Sequence, residues 1–296
     1  MATFERLQGI IPALATPLND DETIDEAALR KLVRHVLDAG VHGVVVLGTA
    51  GEFAALTDAE KERAVEVVVS EVAGQVPVIA GTGEPATRRA VETTRRMAAL
   101  GIDAAMVVPP YYQPIPQSAV LAHYCALVAA TDLPIALYNI PSCTKITLEV
   151  DTVRALAHEP GIVGLKDSSG QFAYFQTLAD ELGSEQFGLV MGSDGLVYAS
   201  LAVGGNGSIG SGINIAPHWY VALWDAARAG RWDEARDWQR RIAGLSALYR
   251  YGFHPGLKAV LSLLGICRPV VTAPMQALSG EQLQDIEAML REMQLL

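Results

Sequence analysis

Short, continuous apolar runs alternate with longer helical segments along most of the chain. Continuous apolar runs are typical of strands that are covered on both faces of a parallel sheet. Glycine stands where a predicted helix ends and a short linker leads into the next strand, as at Gly40, Gly101 and Gly161. The predicted strands cover residues 10–15, 43–48, 77–81, 103–108, 134–138, 162–165, 187–191 and 207–209.

The strand–helix alternation repeats eight times and predicts an α/β fold, a (β/α)8 TIM barrel over residues 1–229. Residues 230–296 are expected to form a C-terminal helical extension packed on the barrel, with breaks at Pro255 and Gly280. Thr23 to Glu26 and Thr57 to Glu60 have the form of capping boxes that open helices. An open doubly wound sheet is the alternative, but no Gly-x-Gly-x-x-Gly follows the first strand.

Composition narrows the range of partners and compartments. Half of the 296 residues are hydrophobic, the net charge is −11, and no stretch is rich in lysine or arginine. These values argue against nucleic acid and acidic membranes as partners. Residues 1–8 lack the regions of a signal peptide, and the longest uncharged runs are broken by glycine and proline. Three widely spaced cysteines (Cys125, Cys143 and Cys267) indicate reduced thiols, so a cytoplasmic protein is expected.

In barrels of this kind, catalytic groups lie at the carboxyl ends of the strands and in the loops that follow them. These positions offer an amine, phenols, hydroxyls and carboxylates. They are Thr49, Glu52, Tyr111, Tyr112, Tyr138, Lys166 and Asp194. The six histidines are scattered and form no His-Glu-x-x-His, so no metal site is predicted.

Lys166 ends a buried strand, where a lysine is rarely found without a reason. Burial disfavours the charged form of an amine, and a neutral amine attacks ketones. The position therefore favours a Schiff-base lysine, with a buried salt bridge to Asp167 or Glu52 as the alternative. Lys145, in the loop after the fifth strand, is the one rival nucleophile. The other lysines are interpreted as solvated (Lys31 and Lys61) or as peripheral to the chemistry (Lys258).

Four segments together resemble the dihydrodipicolinate synthase/N-acetylneuraminate lyase family in order and spacing. They are Gly48-Thr49-Ala50-Gly51-Glu52, Tyr138-Asn139-Ile140-Pro141, Gly164-Leu165-Lys166-Asp167-Ser168-Ser169-Gly170, and Gly192-Ser193-Asp194 with the glycine-rich stretch from Gly205. The resemblance covers essentially the whole chain. It implies a barrel, usually a tetramer of tight dimers, that performs pyruvate-dependent class I aldolase chemistry without a metal or other cofactor.

The resemblance also implies a role for individual residues. Lys166 matches the lysine that forms an imine with pyruvate or another 2-keto acid, and Tyr138 matches the phenol that shuttles protons. Thr49, with the backbone amides up to Ala50 and Gly51, matches the site of the pyruvate carboxylate. Tyr112 matches a tyrosine that reaches into a neighbouring subunit's site, and Ile209 matches a residue whose backbone lines the lysine pocket.

The second substrate is less closely specified, because Cys143 stands where the synthases usually carry an arginine that holds the carboxylate of aspartate semialdehyde. A cysteine cannot supply that cation, although Lys145 is a possible substitute. Ser168 and Asp194 are plausible partners for the hydroxyls of a 2-keto-3-deoxy sugar acid. A pyruvate-dependent aldolase or lyase acting on such an acid, with pyruvate and a small aldehyde as its ligands, is therefore expected.

Other functions remain open at this stage. They are dihydrodipicolinate synthase, a keto-deoxy sugar acid dehydratase, a non-catalytic keto-acid-binding protein, and a metal-dependent lyase using Glu52, Glu84, Asp167 and Asp194.

Overall fold

The computed structural model describes residues 4, 6–182 and 187–296. Eight parallel strands form a nearly closed barrel with helices between them, and further helices follow the last strand. The predicted (β/α)8 fold is therefore confirmed. Of the segment searched for a signal peptide, residues 1–3 and 5 lie outside the described residues.

The elements are numbered in chain order. The strands are β1 (Gly9–Pro12), β2 (Val44–Val46), β3 (Val78–Gly81), β4 (Ala104–Val107), β5 (Ile135–Asn139), β6 (Ile162–Asp167), β7 (Gly188–Met191) and β8 (Gly207–Gly210). The helices are α1 (Glu26–Leu37), α2 (Asp58–Val72), α3 (Thr87–Ala99), α4 (Gln117–Ala130), α5 (Pro141–Thr144), α6 (Val150–Ala157), α7 (Phe172–Leu182), α8 (Val197–Ala202), α9 (Pro217–Arg228), α10 (Trp232–Gly244), α11 (Phe253–Leu263) and α12 (Gly280–Glu292).

The chain divides into two compact units, and the first consists of Met1–Gly9 with Pro77–Ile209. Here each strand from β3 onward pairs in parallel with the next, up to β8. Leu137 of β5 and Leu165 of β6 lie in one apolar cluster with helix residues such as Tyr124, Leu156 and Phe175. The helix-facing side of these strands therefore belongs to a buried apolar core.

The second unit consists of Ile10–Val76 with Gly210–Leu296. A parallel bridge joins Ala13, just after β1, to Val45 of β2. Helix α1 packs against α2, and α9 packs against α10. The unit therefore joins the first two strand–helix repeats to the C-terminal helices.

One of the two predicted capping boxes is present. The Thr57 side chain accepts from the Glu60 N–H, and the Glu60 carboxylate accepts from the Thr57 N–H, so that α2 begins with a complete box. The box predicted from Thr23 to Glu26 is wrong. Asp25 caps α1 by accepting from the Ala28 N–H, because an aspartate directly before the helix is itself a strong cap.

The predicted break at Pro255 is also wrong. Pro255 lies in the first turn of α11, which begins at Phe253. The first N–H groups of a helix have no partner within it, so a proline costs little there. Gly280 does mark a boundary, since it is the first residue of α12 after the Ser279 cap.

None of the helices in the described part of the chain combines the length and the apolar character required to cross a bilayer.

His123 on α4 gives the first unit a measurable pH dependence. Its ring is buried, and Nδ1 lies 3.0 Å from the Thr87 hydroxyl. Burial lowers the pKa of His123 from 6.5 to about 4. As the pH falls below about 6.5, His123 is protonated in the unfolded chain but stays neutral in the folded chain. The free energy of unfolding that His123 contributes is therefore fully present above about pH 6.5 and is lost as the pH falls toward about 4.

We expect His123→Gln to remove this dependence. Between about pH 8 and about pH 5, the wild-type free energy of unfolding should fall by about 2 kcal/mol relative to the variant, as urea denaturation would measure. The exposed His158 gives the matched control, and His158→Gln should follow the wild type. Parallel curves for wild type and His123→Gln would contradict the assignment.

Candidate active site

Strands β5 and β6 are paired with a bulge. Ile135 of β5 pairs with Ile162 of β6. The next pair is Ala136 with Gly164, so β6 carries one extra residue, Val163. Bulges of this kind re-aim the side chains that follow them and are common next to active sites.

The bulge requires a glycine. Gly164 has φ 153°, a conformation that other residues rarely adopt, and a Cβ there would lie 2.2 Å from the carbonyl oxygen of Gly188. Any other residue at this position would collide with β7. The glycine of the Gly-Leu-Lys motif therefore maintains the pairing of three neighbouring strands.

The bulge determines which side chain lies beside Tyr138. Without it, Tyr138 would pair with Leu165, whereas with it Tyr138 pairs with Lys166. A shift of one residue turns every side chain of a strand to the opposite face. Tyr138 and Lys166 are thus adjacent, at the carboxyl ends of neighbouring strands.

The side chain of Lys166 is 4% exposed, and its Nζ lies 4.0 Å from the centre of the Tyr138 ring. Within the described residues of the first unit, no carboxylate is in salt-bridge contact with this amine. Asp167 and Glu52, the two partners considered from the sequence, are bonded elsewhere. A buried amine with an aromatic neighbour and no counter-ion can act as a nucleophile.

The other predicted residues of the first unit follow later strands or loops. Cys143 is exposed in the short helix α5, directly after β5. Ser168 is half-buried after β6, and Asp194 is half-buried in a short turn after β7. Ile209 is fully buried in β8. The hydroxyl, carboxylate and thiol groups therefore occur in the loops after β5, β6 and β7.

Two tyrosines follow β4 and differ in their surroundings. Tyr112 is 82% exposed, with a left-handed backbone at φ 80°. Tyr111 is half-buried, and burial together with the charge of Glu84 raises the pKa of its phenol. An aromatic ring as exposed as that of Tyr112 is available for contact with another molecule.

The predicted carboxylate loop lies in the second unit, where Thr49–Gly51 forms one turn of 3-10 helix shortly after β2. The carbonyl oxygen of Gly51 accepts from the Thr16 hydroxyl at 2.8 Å. The carbonyl oxygen of Thr49 lies 2.8 Å from Nε2 of His254, which must donate because a carbonyl can only accept. Ala50 and Gly51 are buried, and Thr49 is half-buried. The turn is thus fixed at both ends.

Glu52 anchors the end of this turn through a buried ion pair. Its Oε1 lies 2.9 Å from Nζ of Lys258, and neither side chain is more than 1% exposed. Its Oε2 accepts from both the N–H and the hydroxyl of Thr272, and Lys258 also donates to the carbonyl oxygen of Val270. Burial acts to raise the pKa of Glu52, but Lys258 and Thr272 outweigh it and hold that pKa below its usual value.

The structure corrects the interpretation of one lysine, since Lys61, expected to be solvated, is 8% exposed. Lys258, interpreted as peripheral to the chemistry, is buried and paired with Glu52. Lys145 is exposed, and its Nζ donates to the Ser142 carbonyl oxygen at 3.4 Å. The rival nucleophile is therefore a surface lysine.

Sequence reasoning missed three polar residues that bond to predicted site residues or their neighbours, two in the second unit and one in the first. His254 and Thr272 contact residues more than 200 positions earlier in the chain, so no local pattern could have paired them. Asn139 was visible inside the Tyr-Asn-Ile-Pro motif, but its bond to Asp167 could not be inferred without the strand register.

Three of the four carboxylates of the metal-lyase alternative have protein partners. Glu52 is paired with Lys258, Asp167 accepts from Asn139 and Ser169, and Glu84 lies 3.4 Å from the Arg89 guanidinium. Across residues 4, 6–182 and 187–296, no three His, Cys, Asp or Glu side chains are grouped as a metal ion would require.

Comparisons with known proteins agree on one family. Residues 6–293 match the model of the dihydrodipicolinate synthetase family. An uncharacterized DapA-like lyase of Halobacterium salinarum is 37% identical over 98% of this chain and 95% of its own length. A 4-hydroxy-tetrahydrodipicolinate synthase of Methanopyrus kandleri is 39% identical over 97% of this chain and 95% of its own length.

A solved structure extends the likeness to the backbone. YagE, a prophage protein of the dihydrodipicolinic acid synthase family from E. coli K12, solved in complex with pyruvate, superimposes with a TM-score of 0.95. It is 26% identical, and the match covers 98% of this chain and 99% of YagE.

The buried ion pair predicts a large and asymmetric effect of substitution. Lys258→Met leaves the Glu52 charge buried without its cation and should cost about 3–5 kcal/mol of unfolding free energy. The double variant Glu52→Gln/Lys258→Met removes both charges and should recover much of that loss. Urea denaturation measures both.

The exposed pair of Arg250 and Asp285, in the same unit, supplies the control. Arg250→Met should cost about 1 kcal/mol or less. Equal small losses for Lys258→Met and Arg250→Met would show that the buried pair does not stabilise this unit.

Proposed function

Because the chain belongs to the dihydrodipicolinate synthetase family of lyases, we propose that it is a pyruvate-dependent enzyme that works through an imine on Lys166. One observation carries the proposal. The amine of Lys166 is buried against the Tyr138 ring, and within the described first unit it has no carboxylate partner. Such an amine is poised to attack a ketone rather than to stabilise the fold.

The chemistry follows from the properties of the imine. The amine adds to the C2 carbonyl of pyruvate, water leaves, and the protonated imine then withdraws electrons from C3. Loss of a C3 proton gives an enamine, which forms a carbon–carbon bond with the carbonyl carbon of an aldehyde. Water then hydrolyses the imine, releases the 2-keto acid and restores the lysine. Cleavage is the same sequence in reverse.

Tyr138 is the group proposed to move protons in these steps. It pairs directly with Lys166, and its ring is next to the amine at which the imine forms. A phenol can relay a proton to a substrate oxygen within hydrogen-bond reach. No metal or other cofactor is required in this scheme.

The turn Thr49–Gly51 is proposed to bind the pyruvate carboxylate. The N–H groups at the start of a turn of helix attract anions, and Thr49 adds a hydroxyl. Ala50 is proposed to contribute only its backbone to this site. That YagE was solved in complex with pyruvate supports pyruvate as a ligand of this chain.

Two further residues are given supporting roles. The backbone of Ile209 is proposed to line the lysine pocket, and Tyr112 to reach the site of a neighbouring subunit in a homodimer or homotetramer. The large exposed area of Tyr112 is consistent with such a contact. A cytoplasmic location is proposed on the basis of the reduced cysteines.

The second substrate is proposed to be a 2-keto-3-deoxy sugar acid, or the aldehyde from which it forms. Cys143 lies at the surface after β5 and offers no cation for the carboxylate of aspartate semialdehyde. Ser168 and Asp194 offer partners for hydroxyl groups instead. Dihydrodipicolinate synthase is the second candidate, favoured by the name of the Methanopyrus kandleri relative.

Borohydride reduction in the presence of pyruvate tests the proposed imine. The wild-type protein should gain one reduced pyruvate, which peptide mapping by mass spectrometry should locate on Lys166. Lys166→Ala should lose both the adduct and turnover, whereas Lys145→Ala, at the exposed lysine after β5, should keep the adduct. An adduct on Lys145, or turnover by Lys166→Ala, would refute the assignment.

A substrate panel tests the second half of the proposal. Several 2-keto-3-deoxy sugar acids should release pyruvate, detected with a coupled dehydrogenase, and condensation of pyruvate with aspartate semialdehyde should be much slower. Cys143→Arg should raise kcat/KM for aspartate semialdehyde, because it restores a bidentate cation. Fast condensation by the wild type would favour the synthase instead, dehydration of the sugar acid would favour a dehydratase, and an adduct without any turnover would indicate a binding protein.

A further inference from the structure

We propose that the buried pair of Asn139 and Asp167 is a clamp that fixes Tyr138 relative to Lys166. Both members are thus positioning residues for the imine chemistry, and the inference rests on the function proposed above. Asn139 directly follows Tyr138 in β5, and Asp167 directly follows Lys166 in β6.

The clamp is a direct side-chain hydrogen bond between the two strands. Nδ2 of Asn139 donates to Oδ1 of Asp167 at 2.8 Å, and the two residues are 0% and 1% exposed. They are the next register pair after Tyr138 and Lys166. The bond therefore holds the two catalytic strand ends together one residue beyond the catalytic side chains.

The clamp lies on the opposite face of the sheet from the chemistry. Successive side chains of a strand alternate between faces, so Asn139 and Asp167 share the face of Leu137 and Leu165. Those leucines belong to the apolar cluster that includes helix residues. The clamp is thus expected to act through Tyr138 and Lys166 without touching substrate.

The same two residues also fix the loops that follow the strands. Oδ1 of Asn139 accepts from the Leu148 N–H at 3.0 Å, which closes the loop of residues 140–147. The Asp167 carboxylate accepts from the N–H and the hydroxyl of Ser169. The backbone carbonyl oxygen of Asp167 accepts from the Gly192 N–H at 2.7 Å. One pair therefore ties three loop segments to the strands that carry Tyr138 and Lys166.

Stability alone does not explain a carboxylate at this place. Among the described residues, the hydrogen bonds to its side chain come from Asn139 and Ser169, and no cation pairs with it. Burial is the main cause that raises the pKa of Asp167 above its usual value. A buried carboxylate without a cation costs free energy, so a pair of apolar side chains at these two positions would stabilise the folded protein more. What the pair adds is a directional link between β5 and β6.

Two measurements with pyruvate as the only substrate distinguish a misplaced Tyr138 from a loss of folded protein. Borohydride trapping at saturating pyruvate gives the fraction of protein that forms the imine. Exchange of the C3 protons of pyruvate in deuterium oxide, followed by proton NMR, gives the rate at which the imine loses and regains a proton. A folding defect lowers both in proportion, whereas a misplaced Tyr138 lowers only the exchange per trapped imine.

Asp167→Leu keeps the size of the side chain and removes its acceptors, so exchange per trapped imine should fall by about tenfold to a hundredfold. Asp167→Asn keeps an acceptor for Asn139 and should stay within about threefold of wild type. Tyr138→Phe gives the reference for a lost proton relay. If Asp167→Leu does not fold, Asn139→Leu replaces it, because it keeps the size of the side chain and removes the Nδ2 donor to Asp167.

Thr94→Val is the matched control, since it deletes a buried hydrogen bond to Thr82 just after β3 in the same unit. It should leave the ratio unchanged. A wild-type ratio of exchange to trapped imine in Asp167→Leu or in Asn139→Leu would overturn the clamp while the imine chemistry stands. Failure of the wild-type protein to form an adduct would overturn the proposed function, and the clamp with it.

Discussion

The pairing of β5 with β6 is the constraint on which the proposed chemistry depends. One extra residue at Val163 changes the register, so that Lys166 rather than Leu165 lies beside Tyr138. The bulge is possible because Gly164 has no Cβ to meet the Gly188 carbonyl oxygen. Immediately beyond the pair, the bond between Asn139 and Asp167 holds the two strand ends together. An amine is thereby buried next to a phenol, at a position where the strand pattern would otherwise place a leucine.

In the second unit, too, polar contacts hold residues that are proposed to bind substrate. The Thr49–Gly51 turn has little structure of its own, and its shape is maintained by Thr16, His254 and the buried carboxylate of Glu52. The cost of burying the Glu52 carboxylate is offset by its ion pair with Lys258 and its hydrogen bonds from Thr272. In both units the residues proposed to meet substrate are few, and most of the polar groups that hold them in place are buried.

Much of this arrangement was predictable from local pattern. The eightfold alternation of apolar strands and helices predicts the barrel, which the structure confirms, and a lysine at the end of an apolar run predicts the nucleophile that remains proposed. The capping box predicted from Thr23 to Glu26 is absent because Asp25, directly before α1, caps the helix instead. The predicted break at Pro255 failed because the proline lies in the first turn of α11, where a helix tolerates it. A glycine within a strand is a signal for a bulge, but its effect on register depends on the partner strand.

The central claim is that the register of β5 and β6 makes Lys166 the group that bonds to pyruvate. A crystal structure of the protein soaked with pyruvate tests this most directly. Continuous density from Lys166 Nζ to C2 of pyruvate, with the Tyr138 hydroxyl next to the new bond, is the predicted result. Pyruvate bound without a covalent link, or linked to another lysine, would contradict the claim.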